Sequence, residues 1–172
     1  MLEATEILNA SILIVDDLEA NVMLLEQVLR NGGYTNITTT QNPVEVLGLH
    51  QQHRYDLILL DLQMPVMDGF EVLEVLKTVE PGGYLPVLVI TAQPGHKLQA
   101  LKVLGADAAM RHIPVLALSA NAMPRDIENG LEAGFFRYLT KPIRVREFME
   151  ALDEALEYAA EQGQGATVAP GL

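Results

Sequence analysis

Short apolar or β-branched runs alternate with amphipathic segments along the first half of the chain. Such runs predict strands, because a strand that is buried on both faces is apolar throughout its length and because β-branched residues are enriched in strands. The predicted strands are Ile12–Val15, Ile37–Thr40 and Leu57–Leu60. Apolar residues spaced three and four positions apart predict helices over residues 21–31, 42–53 and 69–78. The alternation of strands and helices predicts an α/β fold with a doubly wound parallel sheet and right-handed crossovers.

The second half of the chain contains one strand–helix unit twice. Leu85–Ala92 is echoed by Ile113–Ala120, which starts 28 residues later. Each run is followed by a helical segment and a stop of small residues, so we interpret residues 85–112 and 113–134 as two copies of one unit. A last strand over residues 135–139 and a last helix over residues 145–159 are predicted to follow. The predicted domain therefore covers residues 11–160, between an N-terminal extension (1–10) and a disordered tail (161–172).

Acidic residues follow two of the predicted strands. Asp16 and Asp17 come after the first strand, and Asp61 comes after the third. Because the carboxyl ends of parallel strands meet at one edge of the sheet, where ligands bind in such folds, we expect the three carboxylates to lie together. Clustered carboxylates repel each other unless a cation lies among them, and oxygen ligands suit a hard cation. The sequence therefore predicts a pocket for Mg²⁺ around one reactive aspartate.

Composition narrows the classes of partner. The 23 acidic residues outnumber the 11 basic ones and give a net charge of −12, which disfavours binding to nucleic acid and to anionic membranes. No run reaches the ~20 apolar residues of a membrane span, and Met1–Ala10 lacks the form of a signal peptide. The absence of cysteine excludes disulfides and thiolate metal sites and agrees with a cytoplasmic location.

These motifs together resemble the receiver domain of bacterial two-component response regulators. The resemblance rests on Ile14–Asp17, on Asp61–Gly69, on a strand end of the form Thr-Ala or Ser-Ala, and on Lys141-Pro142. It implies a flavodoxin-like fold with strand order 2-1-3-4-5. It also implies that a sensor histidine kinase donates a phosphoryl group to Asp61 and that a downstream protein partner responds. The chain would then be a phosphoacceptor and not an enzyme, with at most slow autodephosphorylation.

The resemblance also implies which residues bind the metal ion. Asp17, Asp61 and the backbone carbonyl of Gln63 would bind Mg²⁺ directly. Asp16 would act mainly through a water molecule. These oxygen ligands are of the kind that Mg²⁺ prefers.

Further residues would contact or sense the phosphoryl group, again as the resemblance implies. A hydroxyl from Thr91 or Ser119 would donate a hydrogen bond to a phosphoryl oxygen. Lys141 would pair with the negative charge as a compact cation. Tyr138 matches the aromatic residue that changes rotamer on activation in this family.

The repeated unit departs from the family pattern. Asp61 and Lys141 lie 80 residues apart, one 28-residue unit more than the resemblance leads us to expect. We favour a six-stranded sheet of order 2-1-3-4-4′-5, because both repeated runs are apolar enough for burial on both faces. Lys141 would then lie about 14 Å from the strand of Asp61 and would fall short of it. If the first unit is extruded instead, its exposed apolar strand predicts a homodimer or a segment swap.

Two other functions are compatible with the sequence. The two copies differ after their Thr-Ala and Ser-Ala ends, as they would in a natural recombinant or an engineered chimera. Such a chain could be a receiver-derived interaction module in which switching by phosphorylation is impaired. A phosphatase of the haloacid-dehalogenase type also uses an aspartate at a strand end, but it requires an acid two residues later, where Gln63 stands.

Overall fold

The structure, a computed structural model, describes residues 8–61, 69–78, 86–91, 115–119, 137–140 and 144–168, together with Lys102, Leu104 and Ile113. Its strands are β1 (Ile12–Val15), β2 (Ile37–Thr40), β3 (Leu57–Asp61), β4 (Val87–Thr91), β5 (Val115–Ser119) and β6 (Arg137–Thr140). Its helices are α1 (Glu19–Asn31), α2 (Val46–His53, after a 3₁₀ turn at Pro43–Glu45), α3 (Gly69–Lys77) and α4 (Val145–Val168). Apart from the end of α4 and the start of α2, which lies four residues later than predicted because its first turn is 3₁₀, these bounds lie within about two residues of the predicted ones.

The described strands form one parallel sheet in the order β2-β1-β3-β4-β5-β6. The predicted fold class, a flavodoxin-like doubly wound sheet, is confirmed. Both repeated strands lie in the sheet, since β4 pairs with β3 on one side and with β5 on the other. The alternative with an extruded first unit is therefore wrong, because β4 buries its apolar residues between two neighbouring strands. A duplication, recombination or chimera as the origin of the repeat stays a prediction.

Two apolar layers cover the sheet. Along β1, Leu13 and Val15 face the layer that contains α2 and α3, whereas Ile12 and Ile14 face the layer that contains α1 and α4. Successive strand residues point to opposite faces, so a strand buried on both sides must be apolar at every position. The four residues of β1 are at most 1% exposed. Central burial of this kind fixes the position of the acidic residues that follow β1.

The domain extends further at both ends than the sequence predicts. Ala10 is buried and Leu8 packs against the same apolar layer, so the core begins before residue 11. α4 continues to Val168 and so includes residues 161–168, which the sequence predicts to be disordered; residues 169–172 lie outside the described part. The missing apolar period led to that prediction, but alanine, glutamate and glutamine are good helix formers. Glycines 163 and 165 each cost about 1 kcal/mol without ending the helix.

The predictions of helices over the two repeated units fall mostly outside the described residues. Lys102 and Leu104 are helical, and Leu104 is buried in the layer that contains α2 and α3. Within the part of the chain that the structure describes, no helix is long and apolar enough to cross a membrane.

Candidate metal centre at the carboxyl edge of the sheet

Asp16, Asp17 and Asp61 lie together at the carboxyl ends of β1 and β3. These strands are direct neighbours, and Val15 pairs with Leu60, so the next residue of each strand stands at the same level. One carboxylate oxygen from each of the three residues lies within 4.8 Å of the others. The structure thus brings together the three acids that were predicted to cluster, although they come from segments far apart in the chain.

Asp16 is the most buried of the three acids. It is 6% exposed, whereas Asp17 and Asp61 are partly exposed. The N–H of Leu18 donates a hydrogen bond of 3.0 Å to Asp16 Oδ1, and the Asn21 side chain also hydrogen-bonds to this carboxylate. The backbone N–H of Asp16 donates to the carbonyl of Thr40 at 3.3 Å. Its position is therefore set by β2 and by the first turn of α1.

The electrostatics of the cluster favour a bound cation. Burial raises the pKa of the Asp16 carboxyl above its ordinary value of 3.8, because the charged form loses water. The hydrogen bonds from Leu18 and Asn21 lower this pKa, and the charge of Asp17 raises it. A cation among the carboxylates would stabilise their charged forms and oppose both the burial and the repulsion.

The donor set fits Mg²⁺ in both chemistry and span. Mg²⁺ binds carboxylate oxygens at about 2.1 Å in an octahedron, so it bridges oxygens up to about 4.2 Å apart. The three oxygens lie within 4.8 Å of one another, so small rotations of the two partly exposed side chains would suffice. Asp16, the most buried of the three, could contribute through a water molecule, since Mg²⁺ usually retains several.

The sheet register separates the two candidate hydroxyl residues. Asp61 pairs with Ile90 in β4, and Ile90 pairs with Leu116 in β5. Thr91 is therefore one residue beyond the level of Asp61 on the adjacent strand. Ser119 lies two strands away and three residues beyond that level. The structure describes the backbone of these two residues and not their side chains.

The remaining predicted residues are placed only in part. Tyr138 lies in β6 and pairs with Ala117, but its side chain is outside the described part. Gln63 and Lys141 lie outside the described residues altogether. Their roles, including the rotamer switch of Tyr138, stay predictions.

The residues that hold Asp16 were missed by sequence reasoning. Asn21 and Leu18 act through the first turn of α1, and Thr40 acts through its carbonyl at the end of β2. Asn21 is a polar residue in the first helical turn after an acidic strand end, and that placement was the available signal. Leu18 and Thr40 contribute backbone groups, which side-chain identity does not reveal.

Comparison with known proteins identifies the family. The family model described as response regulator receiver domain matches residues 12–111. The chain belongs to the response regulator receiver family. This receiver is 34% identical over 146 residues to the polar-differentiation response regulator DivK of Brucella anthropi, covering 85% of this chain and 95% of that protein. It is 32% identical over 149 residues to DivK of Brucella ovis, covering 87% of this chain and 98% of that protein.

Solved structures share the fold of this receiver. A CheY-like receiver domain protein from Methanospirillum hungatei has a TM-score of 0.53 at 23% identity, covering 90% of this chain and 99% of that one. A two component transcriptional regulator AraC from Clostridium phytofermentans has a TM-score of 0.59 at 20% identity, covering 90% and 98%. The identification as a DivK-like receiver of two-component signalling rests on the family match and the DivK relatives, and it confirms the predicted resemblance.

Proposed function

We propose that this receiver is a phosphoacceptor, to which a sensor histidine kinase transfers a phosphoryl group on Asp61 in the presence of Mg²⁺. The observation that carries the proposal is the cluster of three carboxylate oxygens within 4.8 Å at the carboxyl edge of the sheet. Asp61 is the member of this cluster that ends a central strand between β1 and β4. Membership of the receiver family supports the same assignment.

The transfer itself needs little from the chain beyond a positioned carboxylate. An oxygen of Asp61 attacks the phosphorus of phosphohistidine, the new P–O bond forms as the P–N bond breaks, and the electron pair of that bond returns to the imidazole. Phosphoryl transfer depends mainly on in-line positioning and on neutralising charge. A bound Mg²⁺ would supply most of that neutralisation. The kinase provides the activated group, so this chain acts as an acceptor and not as an enzyme, apart from slow autodephosphorylation.

The other residues around Asp61 would position the metal ion and leave access for the phosphoryl group. The carboxylate of Asp16 accepts a hydrogen bond from the N–H of Leu18 and also contributes an oxygen to the acidic cluster, where it would bind the metal ion or its water. Asp17 and Asp61 are partly exposed, so the ion and the phosphoryl group have access from solvent. Gln63 would add its backbone carbonyl to the metal site. The net charge of −12 favours a protein partner over nucleic acid as the recipient of the signal.

Adduct formation tests the proposal. The full chain is incubated with Mg²⁺ and acetyl phosphate, and the mass of the intact protein is measured. We expect one phosphoryl group on the wild type and none on Asp61→Asn. The matched control is Asp56→Asn, because Asp56 flanks the opposite end of the same strand, where its carboxylate accepts a hydrogen bond from the N–H of Ser11. Asp56→Asn should be modified like the wild type.

Two outcomes would overturn the assignment. A folded wild type that acquires no phosphoryl group would favour an interaction module without regulated phosphorylation. Rapid turnover of phosphate esters would favour a phosphatase.

A further inference from the structure

Resting on the proposed phosphoacceptor function, we infer that Thr91 serves the phosphoryl site and that Ser119 and Lys141 do not. The reason is the extra strand β5, which separates Asp61 from the last strand. This inference rests on the strand order β3-β4-β5-β6 and on which residues pair between these strands. Receiver chemistry would then be confined to β1, β3 and β4.

The first step is the lateral distance across the sheet. Neighbouring strands lie about 4.8 Å apart. β6 is three strands away from β3, which corresponds to about 14 Å. In a five-stranded sheet of order 2-1-3-4-5 the last strand would be two places away, at about 10 Å. The additional strand therefore moves the end of β6 away from the phosphoacceptor by one full strand spacing.

The second step is the offset along the strands. Asp61, Ile90, Leu116 and Arg137 form one lateral row of paired residues. Thr140, which pairs with Ser119, lies three residues beyond that row, or about 10 Å at 3.3 Å per residue. The lateral and axial offsets combine to about 17 Å between the backbones of Asp61 and Thr140.

This separation is too large for the lysine that follows Thr140 in the sequence. A lysine side chain spans roughly 6 Å from Cα to Nζ, and the Asp61 side chain with its phosphoryl group spans roughly another 5 Å, given bond lengths near 1.5 Å. With a hydrogen bond of about 3 Å between them, the combined reach is about 14 Å, which is less than the backbone separation. The negative charge of a phosphoryl group on Asp61 would therefore be balanced by the divalent cation without Lys141.

Thr91 and Ser119 also differ in their distance from Asp61. Thr91 is on the strand next to Asp61 and one residue beyond it, which places the two backbones about 6 Å apart. Ser119 is two strands across and three residues beyond, at about 14 Å. The region matched by the receiver family, residues 12–111, includes Thr91 and stops before β5 begins. The family match and the sheet register thus select the same copy of the repeated unit.

Beryllofluoride binding in Mg²⁺ tests the inference on the full chain. The chain has no tryptophan, so bound fluoride is followed by ¹⁹F NMR. We expect Lys141→Ala and Ser119→Ala to bind beryllofluoride within about twofold of the wild type, and Thr91→Ala to bind at least about tenfold more weakly. Thr91→Ser retains the hydroxyl and should restore binding, which separates loss of the hydroxyl from a folding defect. Lys77→Ala serves as a control for the removal of a lysine charge.

Each contrary result has a distinct meaning. A tenfold loss in Lys141→Ala, or a larger loss in Ser119→Ala than in Thr91→Ala, would overturn the inference while leaving Asp61 as the phosphoacceptor. A wild type that binds no beryllofluoride would overturn the proposed function and this inference together. The lifetime of the acyl phosphate provides a second measurement, and it should be unchanged in Lys141→Ala.

Discussion

The strands that precede the acidic residues, β1 and β3 (the leading strands), are held more firmly in the sheet than the last strand, β6 (the trailing strand). β1 and β3 have a paired neighbour on each side and an apolar layer on each face, and the apolar residues of β3 are at most 1% exposed. β6 lies at an edge, where among the described residues it pairs with β5 alone. The acidic cluster follows two strands that are paired on both sides and covered on both faces. A site that must position three repelling charges requires this rigidity, whereas the trailing strand has no such requirement.

Matched truncations on one face should show this difference most strongly. Leu59 in β3 and Leu139 in β6 belong to the same apolar layer. We expect Leu59→Ala to lower the free energy of unfolding by about 4 kcal/mol, because its central surroundings cannot collapse into the cavity. Leu139→Ala should cost about 2 kcal/mol, because an edge strand can relax. Urea denaturation followed by circular dichroism measures both, and equal losses would contradict the comparison.

A hydrogen bond connects the leading part of the molecule to the last helix. The Tyr34 hydroxyl, just after α1, donates to the carboxylate of Asp153 on α4, and Tyr34 is buried. Burial and the negative charge of Asp153 raise the pKa of Tyr34, so the hydroxyl keeps its proton. We expect Tyr34→Phe to lower the free energy of unfolding by about 2 kcal/mol, as for a hydrogen bond to a charged group.

A second buried tyrosine is the natural control. The Tyr55 hydroxyl has no hydrogen-bond partner among the described residues. Tyr55→Phe should therefore be neutral or stabilising by up to about 1 kcal/mol, since it removes a buried polar group without losing a bond. If both substitutions cost the same in urea denaturation, the hydrogen bond between Tyr34 and Asp153 is not what stabilises α4.

A deletion should remove the difference between the two ends of the sheet. Deleting residues 92–119 joins Thr91 to Ala120, a junction that the repeat itself suggests, and leaves five strands. β6 should then pair directly with β4. We expect Lys141→Ala to weaken beryllofluoride binding about tenfold in this background, which is about 1.4 kcal/mol, and to have no effect in the full chain. If Lys141→Ala has no effect in either background, the inserted strand is not the reason why this substitution has no effect in the full chain.

The register of the repeated strands shows where sequence reasoning reached its limit. The repeat aligns Thr91 with Ser119, but in the sheet Thr91 pairs with Ala117. A shift of two residues keeps every side chain on the same face, so a strand that is apolar on both faces fits either register equally well. The apolar runs could therefore predict that both strands enter the sheet. They could not predict how far one strand slides along the other.

For the acidic cluster as well, some features could be predicted from the sequence and others could not. Two strand ends at one sheet edge were sufficient to predict that Asp16, Asp17 and Asp61 meet. The sequence did not reveal that Asp16 is buried while its neighbours are partly exposed. Asp16 accepts a hydrogen bond from the N–H of Leu18 and donates its own N–H to the carbonyl of Thr40, and the contact with Thr40 depends on pairing between distant segments.

The prediction with the smallest expected effect concerns whether the buried charge of Asp16 lowers the stability of the fold. Burial raises the pKa of Asp16, so ionisation of this carboxyl costs the folded state more than the unfolded state. Its contribution to stability therefore declines as the pH rises from about 4 through the raised pKa. At pH 7 in EDTA, we expect Asp16→Asn to be more stable than the wild type by about 1 kcal/mol. In thermal melts this corresponds to about 2–4 °C.

The pH dependence and a neighbouring acid provide the controls for Asp16→Asn. The difference between variant and wild type should shrink as the pH falls well below the ordinary carboxyl value of 3.8, because the wild-type carboxyl is then protonated in both states. Asp17→Asn should change the melting temperature little, because water already reaches Asp17, which is partly exposed. Saturating Mg²⁺ should stabilise the wild type more than Asp16→Asn, because an ion stabilises the state that binds it. A variant less stable than the wild type at pH 7 in EDTA would mean that hydrogen bonds from Leu18 and Asn21 outweigh the burial of the charge.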